Sequence, residues 1–443
     1  MGNRFTFYLT RWTALFFFAA VCLTAPAQNK ERPKLKDFGS SLKHIKWDEE
    51  KQAAVETKRK STASPGAEDI DVVKVETSLV SNDVLVLDAR GNFVTGLTEK
   101  DFVINEDGAA QTVGLFSLGD STNVPRSMVL IIDYSGSQFP FIKTSVTAAK
   151  MLVDKLAPSD SMAIVTDDVE LIQDFTRDKQ KLKSKLDSLL KRVNPDEPMG
   201  SFENMRFKHF GRSKQYSALL ATLREAFNDE DQRPIVIFQT DGDQLAYLRN
   251  TPLDLARQDP GVVPDKKQIE ASRRYFQENR TNFSLEDIYR AAEKARTTIY
   301  TVVPGHQLLG RPLAEVIADT RIEAEKMFAQ LPFRDARTAK MFEAMMTDEA
   351  LKVAAEARIK LQTSLASVAT STGGWTMFLE KPEDADRIYS SIFSDINRRY
   401  IVGYYPTNKD HDGKRRKVEV TVRDHPEYKV VGRRWYYAPA ADQ

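Results

Sequence analysis

The stretch SMVLIIDYSGSQFPF, residues 127–141, decides the fold. An apolar run ends abruptly in Asp133, Ser135 and Ser137, three small oxygen-bearing side chains at every second position. The next segment is helical in pattern, with Ile142, Val146, Ala149, Val153 and Leu156 at three-to-four spacing. The same alternation continues downstream. SMAIVTD (161–167) and VELIQDF (169–175) read as strands, DKQKLKSKLDSLLKRV (178–193) and YSALLATLREAF (216–227) as helices, and RPIVIFQTD (233–241) as a buried strand. SLEDIYRAAEKARTTIYTVVP (284–304) and LQTSLASVATSTGGWTMFL (361–379) each supply a further helix and strand. Strands alternating with helices predict a doubly wound, mostly parallel sheet over residues 126–398.

Two segments exceed a minimal fold of this kind, 244–283 and 307–360, and they read as insertions. The second has helical runs, IEAEKMFAQL (322–331) and TAKMFEAMMTDEALKVAAEARIK (338–360). Their Met and Phe residues sit at helical spacing, as packing side chains do. On either side of the α/β region the texture is different. Residues 71–120 have short alternating runs around Val84, Val86, Phe102 and Ile104, with turns at Asp88–Gly91 and Glu106–Gly108. Residues 399–438 alternate Val418, Val420 and Val422 after a turn at Asp410–Gly413. Neither segment is long enough to close a sandwich alone, so the expectation is one discontinuous β-sandwich into which the α/β domain is inserted.

The N-terminus reads as a secretory signal, residues 1–27. Arg4 and Arg11 precede an uncharged stretch from Trp12 to about Ala25, which ends in Ala25-Pro26-Ala27. Roughly 14 apolar residues are fewer than the ~20 a membrane-spanning helix requires. The pattern predicts export to the periplasm, the cell surface or the medium, with no membrane span once the signal is cleaved. The single cysteine, Cys22, lies inside this signal, and Val21 stands where a lipoprotein signal needs a small residue. Thiol chemistry and disulfides are therefore excluded from the processed chain. Residues 28–70 are dense in charge, Ser, Ala, Pro and Gly and read as a mostly disordered leader, in which SLKHIKWDEEKQAAVETK (41–58) has the composition of a surface helix. With 64 Lys and Arg against 63 Asp and Glu, no global field favours nucleic acid or an anionic membrane. The basic runs KRK (58–60) and GKRRKVEV (413–420) read as solvated linker and turn charge.

In an open parallel sheet, ligands bind beyond the carboxyl ends of the strands. Asp133, Ser135 and Ser137 occupy that position on the domain's first strand. One carboxylate and two hydroxyls form a hard oxygen set suited to Mg²⁺, Mn²⁺ or Ca²⁺ and unsuited to structural zinc. A second acid, Asp241, stands at another strand's carboxyl end in FQTDG, and Ser213 lies in a Gly-containing loop ahead of a helix, so that three loops converge on one ion. The competing reading of Asp133-x-Ser-x-Ser is a helix-capping turn.

LIIDYSGS and IFQTDG, set in alternating elements, resemble a von Willebrand factor type A domain with its metal-ion-dependent adhesion site. VLDARGNFVTGLTEKDFVINEDGAAQTVGLFS, DFTRDKQKL, LASVATSTGGWTMF and RRYIVGYYPTNKDHDGKRRKVEVTV extend the resemblance to the secreted von Willebrand factor A-related proteins of acidobacteria, over about residues 72–438. The resemblance implies that Ser135 and Ser137 coordinate the ion directly and that Asp133 and Asp241 act mainly through coordinated water. Ser213 takes the place of the family's loop threonine in GRSKQYSAL, between Arg212 and Lys214. It further implies an open coordination position that a partner protein fills with an Asp or Glu side chain, and a last helix, PEDADRIYSSIFSDINRRY (382–400), that communicates with the β-sandwich.

The function expected is thus a non-enzymatic, metal-dependent protein-binding module of adhesion type. Two other classes stay open at the level of sequence: a scaffold whose metal site is degenerate, to which Arg212 and Lys214 point, and a metal-dependent hydrolase. The histidines, His44, His209, His306, His411 and His425, lack metal-ligand spacing, and His209 alone precedes the Ser213 loop. Turnover lost in Asp133→Ala would mark the hydrolase.

Overall fold

The computed structural model describes residues 45–48, 53–56, 79–118, 126–192, 214–227, 233–252, 270, 274, 277–329 and 336–439. The signal, the Ser213 loop with Arg212 and His209, and most of the leader and of the first insertion lie outside these residues. Within the leader the structure corrects the expected surface helix. Strands β1 (Ile45–Asp48) and β2 (Ala53–Glu56) pair antiparallel with Ile45 opposite Glu56. The pairing segments hold Ile45, Trp47 and Val55, β-branched and aromatic residues that favour strands.

The next four strands are β3 (Val80–Leu87), β4 (Phe102–Glu106), β5 (Ala109–Gln111) and β6 (Val113–Leu118). The α/β domain then runs β7 (Arg126–Ile132), α1 (Ile142–Asp154), β8 (Ser161–Thr166), β9 (Leu171–Thr176), α2 (Lys179–Arg192), α3 (Gln215–Glu225), β10 (Arg233–Gln239), α4 (Leu285–Lys294), β11 (Thr298–Pro304), α5 (Leu313–Ala329), α6 (Ala336–Met345), α7 (Asp348–Ser371), β12 (Thr376–Leu379) and α8 (Asp384–Asn397). Its six strands lie in the order β12-β11-β10-β7-β8-β9, all parallel except β9.

Because successive side chains of a strand point to opposite faces, the apolar run of β7 feeds two cores at once. Met128, Leu130 and Ile132 pack with α1, α2 and α8 on one face, while Val129 and Ile131 pack with α3, α4 and α7 on the other. A strand buried on both faces must be continuously apolar. That requirement is why residues 128–132 show no polar alternation.

The chain returns to sandwich strands after α8, with β13 (Tyr400–Tyr404), β14 (Arg415–Val422), β15 (Lys429–Val431) and β16 (Trp435–Tyr437). Each of two four-stranded sheets mixes strands from both ends of the chain, in the orders β15-β3-β13-β6 and β16-β14-β4-β5. Their shared core contains Val84, Val86, Phe102, Ile104, Tyr400, Val402, Val418 and Val422. The expected class, a doubly wound domain inserted into a discontinuous β-sandwich, is the one observed. At the junction Arg399, directly after α8, is buried, and its guanidinium donates to Asp395, to the Gly373 carbonyl and to the Asp83 carbonyl on β3.

In the second insertion the expected helical run 338–360 breaks in two. Thr347 caps α7, its hydroxyl accepting the Ala350 N–H at 3.3 Å, which satisfies one of the otherwise orphaned donors of a helix start. From there α7 continues unbroken through 361–371, so the insertion is welded to a helix of the domain core. Among the described residues no helix is long and apolar enough to cross a membrane.

Candidate metal centre

The first strand of the domain is flanked by β8 and β10, and the chain passes from β7 to β8 on one side and later returns to β10 on the other. The gap between the carboxyl ends of β7 and β10 is therefore the point where the strand order reverses, and there the loops diverge to leave a crevice. Asp133 follows β7 and Asp241 follows β10. Their loops are held side by side by the Asp133 N–H, which donates to the Gln239 carbonyl at 3.0 Å.

The Asp133 carboxylate, 1 % exposed, is fixed from three directions. One oxygen accepts the Ser135 N–H at 3.0 Å, and the other accepts the Thr240 hydroxyl at 2.6 Å and the Gln215 amide at 2.9 Å. The bond to Ser135 N–H curls the loop back on itself, bringing the Ser135 and Ser137 hydroxyl oxygens to 3.1 Å from each other. On the facing loop, Asp241 accepts the Gln138 amide at 2.7 Å and a hydrogen bond from Ser137. Gly242 makes the turn after it with φ of 77°, a left-handed conformation, and a Cβ there would press on Leu365 of α7 at 3.1–3.2 Å. Four of the five expected ligands, Asp133, Ser135, Ser137 and Asp241, are thus brought together. Ser213 lies outside the described residues.

Three side chains of the cluster were not foreseen: Gln138, Gln215 and Asp243. Gln215, fully buried in the first turn of α3, sends its one amide nitrogen to Asp133 at 2.9 Å, Asp241 at 3.3 Å and Asp243 at 2.6 Å. Its amide oxygen accepts the Gln244 N–H at 3.1 Å, which fixes which end of the amide faces the acids. Gln244 is locked in turn, accepting the Ser217 N–H and donating to the Ser217 hydroxyl. The only sequence signal was the second acid two residues after Asp241; a glutamine carries none.

The electrostatics of this cluster are one-sided. Asp241 and Asp243 keep an edge open to solvent, yet the surrounding protein removes enough hydration to push Asp241 up to about 6, with the neighbouring Asp133 charge adding to the rise. Asp243 is driven well above the usual carboxylate range, first by desolvation and then by Asp241 and Asp133. The hydroxyl, amide and backbone donors act the other way but bring no charge. The carboxylates do not make a cage by themselves: among the described residues no three or more His, Cys, Asp or Glu side chains are arranged as ligands of one ion. Hydroxyl and amide groups complete the set. Gln138, whose amide nitrogen is on Asp241, has an Oε1 that is buried and has no hydrogen-bond partner. Negative charge with no compensating cation among the described residues, beside two converging hydroxyls, fits a hard divalent ion.

This strand order, a mostly parallel sheet flanked by helices with an antiparallel third strand and acids at the switch point, is consistent with the Rossmann-like fold of a von Willebrand factor type A domain. No protein-family model matches the chain, and no curated protein matches it in sequence. Among solved structures the chain is similar to a von Willebrand factor type A protein from Catenulispora acidiphila, at 9% identity and a TM-score of 0.32, over 83% of this chain and 75% of that one. It is similar also to a conserved hypothetical protein, BatB, from Bacteroides thetaiotaomicron, at 12% identity and a TM-score of 0.32, over 61% of this chain and 98% of that one. An aerotolerance-related membrane protein from Bacteroides fragilis matches at 11% identity and a TM-score of 0.30, over 61% and 98% respectively. At such distances the fold of this chain is read from its own strands.

Proposed function

We propose that the chain is an exported, divalent-ion-dependent protein-binding module whose site recognises an acidic side chain of a partner protein. The observation that carries this reading is the meeting of Asp133, Ser135 and Ser137 with Asp241 at the switch point, where among the described residues no Lys or Arg pairs with the acids. Ser135 and Ser137 would hold the ion directly, Asp133 and Asp241 would hold its water, and Ser213 would complete the set from the third loop. When bound, Mg²⁺, Mn²⁺ or Ca²⁺ supplies a positive charge able to take one carboxylate from outside. The remaining work belongs to the chain. Thr240 and the Ser135 N–H orient Asp133, Gln138 orients Asp241, and the buried β7 and β10 hold the two loops in register.

Neutral hydroxyls leave more of an ion's charge unspent than carboxylates do, which favours an Asp or Glu as the incoming ligand. Of the described histidines, His306 pairs with Glu380, His425 pairs with Glu427 while stacking on Tyr428, and His411 is exposed in the turn before β14. The test is retention of the protein on a surface bearing Asp- and Glu-containing peptides, in Mg²⁺ or Mn²⁺ against chelator. Retention that needs the ion, and fails in the double variant Ser135→Ala, Ser137→Ala, supports the module. Retention indifferent to chelator, or absent from every acidic surface, overturns it.

A further inference from the structure

Asp133 and Asp241, the two acids proposed to hold an ion's water, share one polar neighbour. It is the Gln215 Nε2, 2.9 Å from Asp133 and 3.3 Å from Asp241, with Asp243 at 2.6 Å. A water between Asp133 and Asp241 could donate to both and still offer its oxygen to an ion. An amide nitrogen donates two hydrogens and is no acceptor. Gln215 therefore performs the first half of that task and blocks the second.

The amide is seated there by the fold. Gln215 is fully buried, its oxygen accepts the Gln244 N–H at 3.1 Å, and Gln244 is fixed at both ends of its own amide by Ser217. The bond to Asp243 is the shortest of the three that the nitrogen makes, so Asp243 serves here as the tether of Gln215 and not as a ligand. The seat can also be vacated. Gln215 is the first residue of α3, and its N–H lies outside the helix's own hydrogen bonds, so the first turn can open there with the rest of α3 in place.

We propose that Gln215 is a built-in stand-in for the ion's water, that an ion is taken up only as the Gln215 amide withdraws, and that this exchange sets the affinity of the site. The inference rests on the reading of the site as a divalent-ion site, and it leaves the ligand set of that reading as it is. Without an ion, the amide gives buried acids a hydrogen bond whose absence would be costly. With an ion, the same N–H groups would face a cation and repel it. The apparent affinity is then the intrinsic affinity reduced by the fraction of chains in which the amide has withdrawn. Gln215 is thus the residue that determines how much ion the site needs.

The test is calorimetric titration of the purified chain with Mg²⁺ and Mn²⁺, for the natural protein and for Gln215→Leu, which keeps the bulk and removes both donors. With the amide seated in about nine chains of ten, its removal should tighten binding of both ions about tenfold. A melt in chelator checks that the variant folds. The natural protein supplies a second readout that needs no variant: hydrogen exchange at the Gln244 N–H, whose partner is the Gln215 oxygen. Saturation with Mg²⁺ should speed exchange at this one N–H, because withdrawal of the amide breaks its hydrogen bond. Affinity unchanged or weaker in a folded Gln215→Leu, or exchange at Gln244 unchanged or slower under saturating Mg²⁺, would overturn the exchange while leaving a divalent-ion site standing. Binding by Gln215→Leu alone would support the stand-in in its extreme form. No binding of either ion to either chain would remove both the stand-in and the site.

Discussion

Two groups of buried acids in this molecule are treated in opposite ways. At the junction of the two domains, Asp395 on α8 is fully buried, but the Arg399 guanidinium reaches it with two nitrogens, at 3.0 and 2.6 Å, and the Tyr300 hydroxyl donates to the same oxygen. At the switch point Asp133, Asp241 and Asp243 share hydroxyls and amides and, among the described residues, no cation. A buried charge matched from within belongs to the architecture, and here it ties α8, the Gly373 turn and strand β3 together. A buried charge left unmatched is a cost, and such groups concentrate where something from outside is to meet them.

The sharpest way to break this contrast is to unmatch the matched acid. Arg399→Met should strand Asp395 in the core and cost about 3–5 kcal/mol in urea unfolding, the usual consequence of removing one member of a buried ion pair. The loss should be the same with or without chelator. Asp241→Asn should do the reverse. Ion affinity should fall roughly 10- to 100-fold, as for residues that hold a metal's water, while stability in chelator stays level or rises, because a repelling charge has gone. A stability loss for Asp241→Asn as large as that for Arg399→Met would erase the distinction.

Acidity gives a third separation. Asp241 has a folded pKa of about 6, above its ordinary 3.8. Between those values the folded chain binds more protons than the unfolded one, so stability in chelator should decline as pH rises from about 4 to about 6 and level off above. Asp241→Asn should flatten that decline in thermal melts across the window, and ion binding should strengthen as pH rises through it, since the proton and the ion compete. The smallest expected effect is at the junction: Tyr300→Phe deletes one hydrogen bond to Asp395 while Arg399 remains, at a cost of about 1 kcal/mol in urea unfolding.

The parts of the molecule legible in sequence were those fixed by periodicity. Met128–Ile132 had to be continuously apolar to be covered on both faces, and Val418, Val420 and Val422 had to alternate to be covered on one. Asp133, Ser135, Ser137 and Asp241 were legible because each stands at the end of such a strand. Gln138, Gln215 and Asp243 were not. Gln215 reaches the acids only because α3 begins beside the switch point, and that neighbourhood exists in the strand order, not in the local sequence. The leader failed for the opposite reason: residues 45–56 have a composition compatible with a helix, but Ile45, Trp47 and Val55 favour pairing, which a reading of charge and polarity passes over.

The most direct measurement is titration of the purified chain with Mg²⁺, Mn²⁺ and Ca²⁺ in a calorimeter, beside the double variant Ser135→Ala, Ser137→Ala. Saturable binding at one site per chain, abolished in the variant, is the result expected of a divalent-ion site at the switch point. An intact protein that takes up none of the three ions, or a variant that binds them as well as the natural chain, would contradict it.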